Sequence, residues 1–257
     1  MRLTLWTLFG FALLFGSNGN STPPEGSPYQ EVLENDVLYI ETIGTLGASK
    51  RKLVRWEDGI LPLKFDKKFS KNQKAEFMRL CNEWSQVANV RCLEGKYKGR
   101  QVQVTGKSDW GCFAVWGMGT HFVVVKHRMN LAPGCWNRRT LLHEMGHAFG
   151  LIHEHQRPDR DQHIRIVEKN LKKGFLGLDK KINYDSESAD VHTEYDLLSI
   201  MHYHSTAGSK NKKETIQVLP PKEHLQRLMG RLDMITEFDA RAMAALYGPP
   251  VVEPVFP

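Results

Sequence analysis

No Cys-x-x-Cys pair occurs in the 257 residues, so thioredoxin-type redox centres and thiolate zinc sites are excluded. Nothing after the first twenty residues approaches the length of an apolar run needed to cross a bilayer. There is no internal repeat, which removes solenoids and propellers. There is also no long block of one charge. The net charge is +6, and the basic residues are scattered among acids. A solvated surface is therefore expected rather than a nucleic-acid face, and no nucleic-acid partner is predicted.

What the chain does have begins at its N-terminus. Arg2, an apolar stretch from Leu3 to Gly16 and small residues at Ser17 and Gly19 form a secretory pattern. An exported protein is predicted, with residues 1–19 as signal peptide and no membrane association after its removal. The four cysteines (Cys81, Cys92, Cys112 and Cys135) suit that compartment; two disulfides have three possible connectivities. Next comes a polar, Pro/Gly/Ser-rich segment that cannot pack by itself, then a basic cluster at Lys50-Arg51-Lys52.

Trp56 opens the main domain. Leu61 to Phe65 alternates as a strand. Ser70 and Gln73 form a capping box, followed by apolar residues at helical spacing from Phe77 to Ala88. Gln101 to Thr105 alternates as a half-buried strand, and Phe122 to Val125 is a β-branched run suited to a sheet interior. A helix is predicted over 138–149. Between Gly150 and Met229 regular signals are sparse, so loops and short elements are expected. A last helix starts near Thr236, capped with Asp239, and ends at Gly248-Pro249-Pro250.

The 138–149 helix carries the chemistry. His143 and His147 are four residues apart, so both imidazoles leave one helix face and can ligate one zinc ion. Glu144 lies beside His143, within reach of water at that metal as general base. Gly150 can end the helix in the left-handed conformation, which turns the chain so that His153 supplies a third nitrogen. Three ligands leave a coordination position open, as a catalytic site requires and a structural one does not. A surface helix with solvated histidines explains neither the glycine nor the third histidine. Downstream, Ser199-Ile200-Met201-His202-Tyr203 places Met201 where metzincin proteases carry a methionine turn beneath the metal.

The run H-E-x-x-H-x-x-G-x-x-H-E from His143 to Glu154, with S-I-M-H-Y from Ser199, resembles the astacin family of zinc endopeptidases. The resemblance extends over roughly residues 55–248, through Arg55-Trp56, the contexts of Cys112 and Cys135, His155 to Asp161 and Ala245-Leu246-Tyr247. It implies an α+β, two-lobed metzincin (zincin-like) fold. A twisted mixed sheet with helices would form the N-terminal lobe, and a loop-rich lobe with a final helix the C-terminal one. It implies one Zn2+ per chain held by His143, His147 and His153, Glu144 as acid/base, and Tyr203 as a movable fifth ligand and oxyanion donor. Glu154 would anchor the mature N-terminal region. Protein or peptide substrates and a monomer are implied as well. So is a latent precursor: prosegment 20–52, catalytic domain 53–248 and tail 249–257. Asp36, in Leu33-Glu34-Asn35-Asp36, stands nearest to the family's prosegment F-x-G-D and is the candidate latency switch. The family pairs Cys112 with Cys135. It also bonds a cysteine near Cys92 to one after the last Leu-Tyr, which this chain lacks; Cys92 is therefore left with Cys81. The competing functional class is a zinc-containing binding module without activity.

Overall fold

The computed structural model describes residues 53–118, 127–172 and 193–251, together with the backbone of 29–34 and 37–42. Asp36 and the Phe122–Val125 run lie outside the described residues.

Capping sets the helices. Ser70 accepts from the Gln73 amide while Gln73 returns to the Ser70 amide, starting α1 (Lys71–Ser85). Asn137 accepts from the Thr140 amide at the head of α2 (Arg138–Phe149). Thr236 and Asp239 form a second reciprocal cap for α3 (Glu237–Tyr247).

The strands are β1 (Tyr29–Glu34), β2 (Val37–Thr42), β3 (Ile60–Phe65), β4 (Arg91–Glu94), β5 (Val102–Thr105), β6 (Cys112–Val115) and β7 (Arg128–Leu131). They form one mixed sheet in the order β1-β2-β6-β7-β5-β3-β4. The pairs β3/β4, β3/β5 and β5/β7 are parallel, and β6 runs antiparallel to β7. Residues 29–34 and 37–42 pair as the antiparallel β1–β2 hairpin. That hairpin lies along β6, with Val37 opposite Ala114 and Leu38 opposite Val115.

One core joins this sheet to both helices. Leu61, Leu63, Val102 and Val104 meet Phe77, Leu80 and Trp84 of α1 and Leu142, Met145 and Phe149 of α2, all fully buried. Cys81 and Cys92 are bonded with Cα atoms 6.1 Å apart, tying α1 to β4. The Cys112–Cys135 bond ties β6 to the turn before α2, its Cα atoms 5.8 Å apart. A second, smaller core (Ile164, Tyr195, Leu197, Ala207, Ile216, Val218, Met229) forms around the antiparallel pair β8 (Ile164–Ile166) and β9 (Ile216–Val218).

Although α3 comes last in sequence, its apolar stripe (Ala242, Met243, Leu246) enters the first core. Phe238, near the start of α3, stays partly exposed under the Arg241 guanidinium. Polar contacts do more of the holding. The Arg55 Nη1 donates to the Leu246 carbonyl at 2.7 Å, and the Asn89 amide to the Gly248 carbonyl at 3.0 Å. The buried Tyr247 hydroxyl donates to the Phe149 carbonyl (2.7 Å) and accepts from the Trp56 amide (3.2 Å). Burial drives the pKa of that phenol well up, so it keeps its proton. Tyr247→Phe leaves both backbone groups unmet, and a loss of about 1–3 kcal/mol in chemical denaturation is expected.

Candidate metal centre

The middle of the metal centre is the dry half of α2. Residues Leu141 to Gly150 are all buried, so His143, Glu144 and His147 project into an environment that excludes bulk water. Gly150 closes the helix at φ 116°, ψ 5°, its amide and that of Leu151 both turning back to the Gly146 carbonyl. The positive φ is what demands glycine here; a Cβ would also lie 2.7 Å from the Leu53 Cδ1, a side-chain end that would have to shift. The reversed chain then delivers His153, fully buried, to the same point.

Each imidazole is held by its Nδ1. That of His143 donates to the Ile200 carbonyl (2.8 Å) and that of His147 to the Leu151 carbonyl (2.9 Å). The His153 Nδ1 donates to the Gln156 Oε1 at 2.9 Å. With the proton fixed on Nδ1, every Nε2 presents a lone pair. These lone pairs converge: the His147 Nε2 is 3.1 Å from that of His143 and 3.2 Å from that of His153. Tetrahedral zinc with Zn–N bonds of 2.0–2.1 Å has ligand nitrogens about 3.3–3.4 Å apart. Lone pairs set this close in a buried site repel unless a cation lies between them, and the spacing, burial and tautomers all fit zinc.

Beneath α2 lies the 199–203 turn. The Ser199 Oγ accepts from the Met201 amide, and the Met201 carbonyl accepts from the Glu154 amide. Arg139 Nη2 donates to the Ile200 and His202 carbonyls (3.3 and 2.9 Å). Met201 packs so tightly under the helix that a Cβ on Gly146 would sit 2.5 Å from its Sδ. The whole turn is tied to α3 through Asp239. Its carboxylate accepts from the Ser199 Oγ (2.6 Å), the Ile200 amide (2.9 Å) and the Thr236 amide (3.0 Å). Burial pushes the Asp239 pKa up, while the Ser199 hydroxyl pulls it back down.

The structure gathers most of the predicted site residues. Tyr203 packs edge-on to His153, ring centroids 4.5 Å apart, and stacks on His155 at 4.2 Å. His155, given no role from sequence, is thus a fully buried wall of the site. Glu154 accepts from the Asp196 amide at 2.7 Å and pairs with Arg157 at 3.1 Å. His202 donates its Nδ1–H to the Tyr203 carbonyl and accepts from the Tyr195 hydroxyl. Burial lowers its pKa to about 4, so it stays neutral and adds no positive charge beside the metal position. Sequence reasoning missed Gln156, Gly146, Arg139 and the second role of Asp239. Only Gln156 had a local signal, three residues after His153.

Residues 48–248 match the family model described as "Astacin (Peptidase family M12A)". The zinc metalloproteinase nas-6 of Caenorhabditis elegans is 32% identical over 67% of this chain, which spans 48% of that protein. The low choriolytic enzyme of Oryzias latipes is 29% identical over 92% of the chain and 82% of its own length. Among solved structures, high choriolytic enzyme 1, a hatching enzyme zinc-protease of the same fish, superposes with a TM-score of 0.63 at 22% identity. That match covers 77% of this chain and 94% of the other. It shows the fold. The chain spans about half the length of the first of these relatives and 34% of another, nas-15.

Gly146→Ala tests the contact between α2 and the turn. The added methyl must displace Met201, with a stability loss of about 1–3 kcal/mol and weaker zinc retention against a chelator. Alanine would otherwise favour the helix, so an unchanged melting temperature with unchanged zinc retention sinks this account.

Proposed function

This chain belongs to the astacin family, and on that footing we propose that it is a secreted, zinc-dependent endopeptidase made as a latent precursor. The observation that carries the reading is the buried convergence of three Nε2 lone pairs beside Glu144 on one helix. His143, His147 and His153 would hold the metal. When bound, zinc polarises a peptide carbonyl and lowers the pKa of water. Glu144 takes the proton from the attacking water and passes it to the leaving amine. The Tyr203 hydroxyl would be a further ligand to the metal at rest and would donate a hydrogen bond to the substrate oxyanion after swinging away. The Nδ1 partners keep the imidazoles from rotating, and the stack on His155 sets the plane of the Tyr203 ring.

Substrate would add to the sheet edge at β6. An edge strand is a template for an extended peptide, and β6 is an edge once β2 is removed. The β1–β2 hairpin belongs to the 20–52 prosegment in this reading and excludes substrate by occupying that edge. Asp36, between the two strands in sequence, would add a carboxylate to the metal in the precursor. Cleavage at Lys50-Arg51-Lys52 severs the hairpin from the catalytic domain. Just past that cluster, the Leu53 side chain rests on Gly150 and the Val54 carbonyl accepts from the Met118 amide at 2.7 Å. A terminus formed there would lie close in sequence to Leu53 and Val54 beside the α2 turn, and Glu154 would be the carboxylate that receives it. The signal is 1–19, the catalytic domain 53–248 and the tail 249–257. Among the described residues no helix is long and apolar enough to cross a membrane.

Glu144→Ala is expected to lower cleavage of a denatured protein by about 10⁴-fold while one zinc per chain remains by elemental analysis. Undiminished activity in that variant ends the mechanism. Tyr203→Phe is expected to lose less, about 10²-fold in kcat, because the metal still polarises the carbonyl. Asp36→Ala in the uncleaved precursor should raise activity; a precursor as latent as before removes Asp36 as the switch.

A further inference from the structure

Several of the lysines and arginines that look scattered in the sequence are gathered by the fold. The β8–β9 pairing and the turn that precedes β9 form an open groove of about 1030 Å³. Among the described residues, Arg165, Lys169, Lys212 and Lys213 line it, all exposed, against a single carboxylate, Glu214. The Glu214 Oε2 is partly committed to the Gln217 amide (3.2 Å). Lys169, Lys212 and Lys213 form no ion pair among the described residues. Two more exposed lysines flank the groove, Lys172 and Lys210, drawn there by their backbone bonds to Gly208 and Asn170.

The lysines stand on a stiff base. The buried Asn170 donates to the Glu214 carbonyl (2.6 Å) and accepts from the Asn211 amide group (2.9 Å). Asn211 in turn accepts from the Ser209 hydroxyl and the Lys213 amide, both at 3.1 Å. Like charges that line one groove repel one another, and a bound anion removes that repulsion. The chemistry of the lining narrows the choice of anion. Among the described residues that line it there is no aromatic ring to stack on a nucleobase, the interaction that single-stranded nucleic-acid grooves depend on. Its apolar lining among the described residues is confined to the partly buried Ile166 and Val167 of a concave surface, which offers little to insert into a lipid layer.

We propose that this groove binds a sulfated polysaccharide, its sulfates paired with Lys169, Lys212 and Lys213. Such a polymer carries dense charge without a stacking face, and it occurs in the extracellular setting proposed above. Bound there, it would hold the protein near a matrix without entering the metal centre.

Heparin is the probe. The full chain should bind it at about 0.15 M salt with an affinity that falls steeply as salt rises. The triple variant Lys169→Gln/Lys212→Gln/Lys213→Gln should bind about ten-fold or more weakly and show a shallower salt dependence. A charge-matched control, Lys64→Gln/Lys67→Gln/Lys71→Gln, replaces exposed lysines elsewhere and should stay within about two-fold of the parent. Thermal melts and peptide hydrolysis should be unchanged in both, so misfolding and loss of the metal centre are read separately. Equal losses in the two triples would make the binding a net-charge effect and overturn the site. So would no heparin binding by the parent, or tighter binding of a single-stranded oligonucleotide or of anionic phospholipid vesicles than of heparin.

Discussion

Three imidazole nitrogens held about as far apart as the corners of a small tetrahedron are an unfavourable arrangement until a cation joins them. Everything around them resists their separation. The Nδ1 of His143 is fastened to the Ile200 carbonyl, and the Ile200 amide is fastened to Asp239. Arg139 holds the Ile200 and His202 carbonyls from the other side. Beneath the helix, Met201 fills the space that Gly146 leaves by having no side chain. The metal position is thus the end of a chain of contacts running α3, Asp239, the 199–203 turn, His143. Outer partners of this kind set ligand orientation and tautomer as firmly as the ligands themselves.

The two disulfides brace a different part of the molecule. One joins α1 to β4 and the other β6 to the turn before α2, so both stiffen the sheet side. Neither reaches α3, where the family places one bridge. Arg55, Trp56, Asn89 and Tyr247 supply its noncovalent equivalent, joining the beginning of the domain to its end. Trp56 strengthens this link by donating from its indole to the Ala148 carbonyl at 2.6 Å, so the same corner also steadies the end of α2.

Much of this was legible in the sequence because the signals are local. A capping residue and its partner lie three positions apart, and ligands on a helix lie four apart. The glycine that ends α2 stands between two of the histidines it serves. These signals placed α1, α2, α3, β3 and β5 and singled out the three histidines. What stayed hidden depends on residues brought together from afar. Asp239 looked like a helix cap and is also the anchor of a turn forty residues earlier. Gly146 occupies one of the unspecified positions of its motif, and only the packing of Met201 against it shows why a side chain is unwelcome. His155 carried no spacing rule, yet it supports the Tyr203 ring. The groove lysines looked solvated because Lys169 and Lys212 are more than forty residues apart, and only the β8–β9 pairing makes them neighbours.

The contact between Arg55 and Leu246 spans 191 positions, and Asp239 sits in the first turn of the last helix. During synthesis from the N-terminus, α2 and its three histidines emerge long before the segment that secures the turn beneath them. A nascent chain that lacks α3 already contains every strand of the large sheet and all four cysteines, but not the Asp239 carboxylate that secures the turn holding His143. Completion of the metal centre therefore waits for α3, which follows the other helices and the strands in the chain.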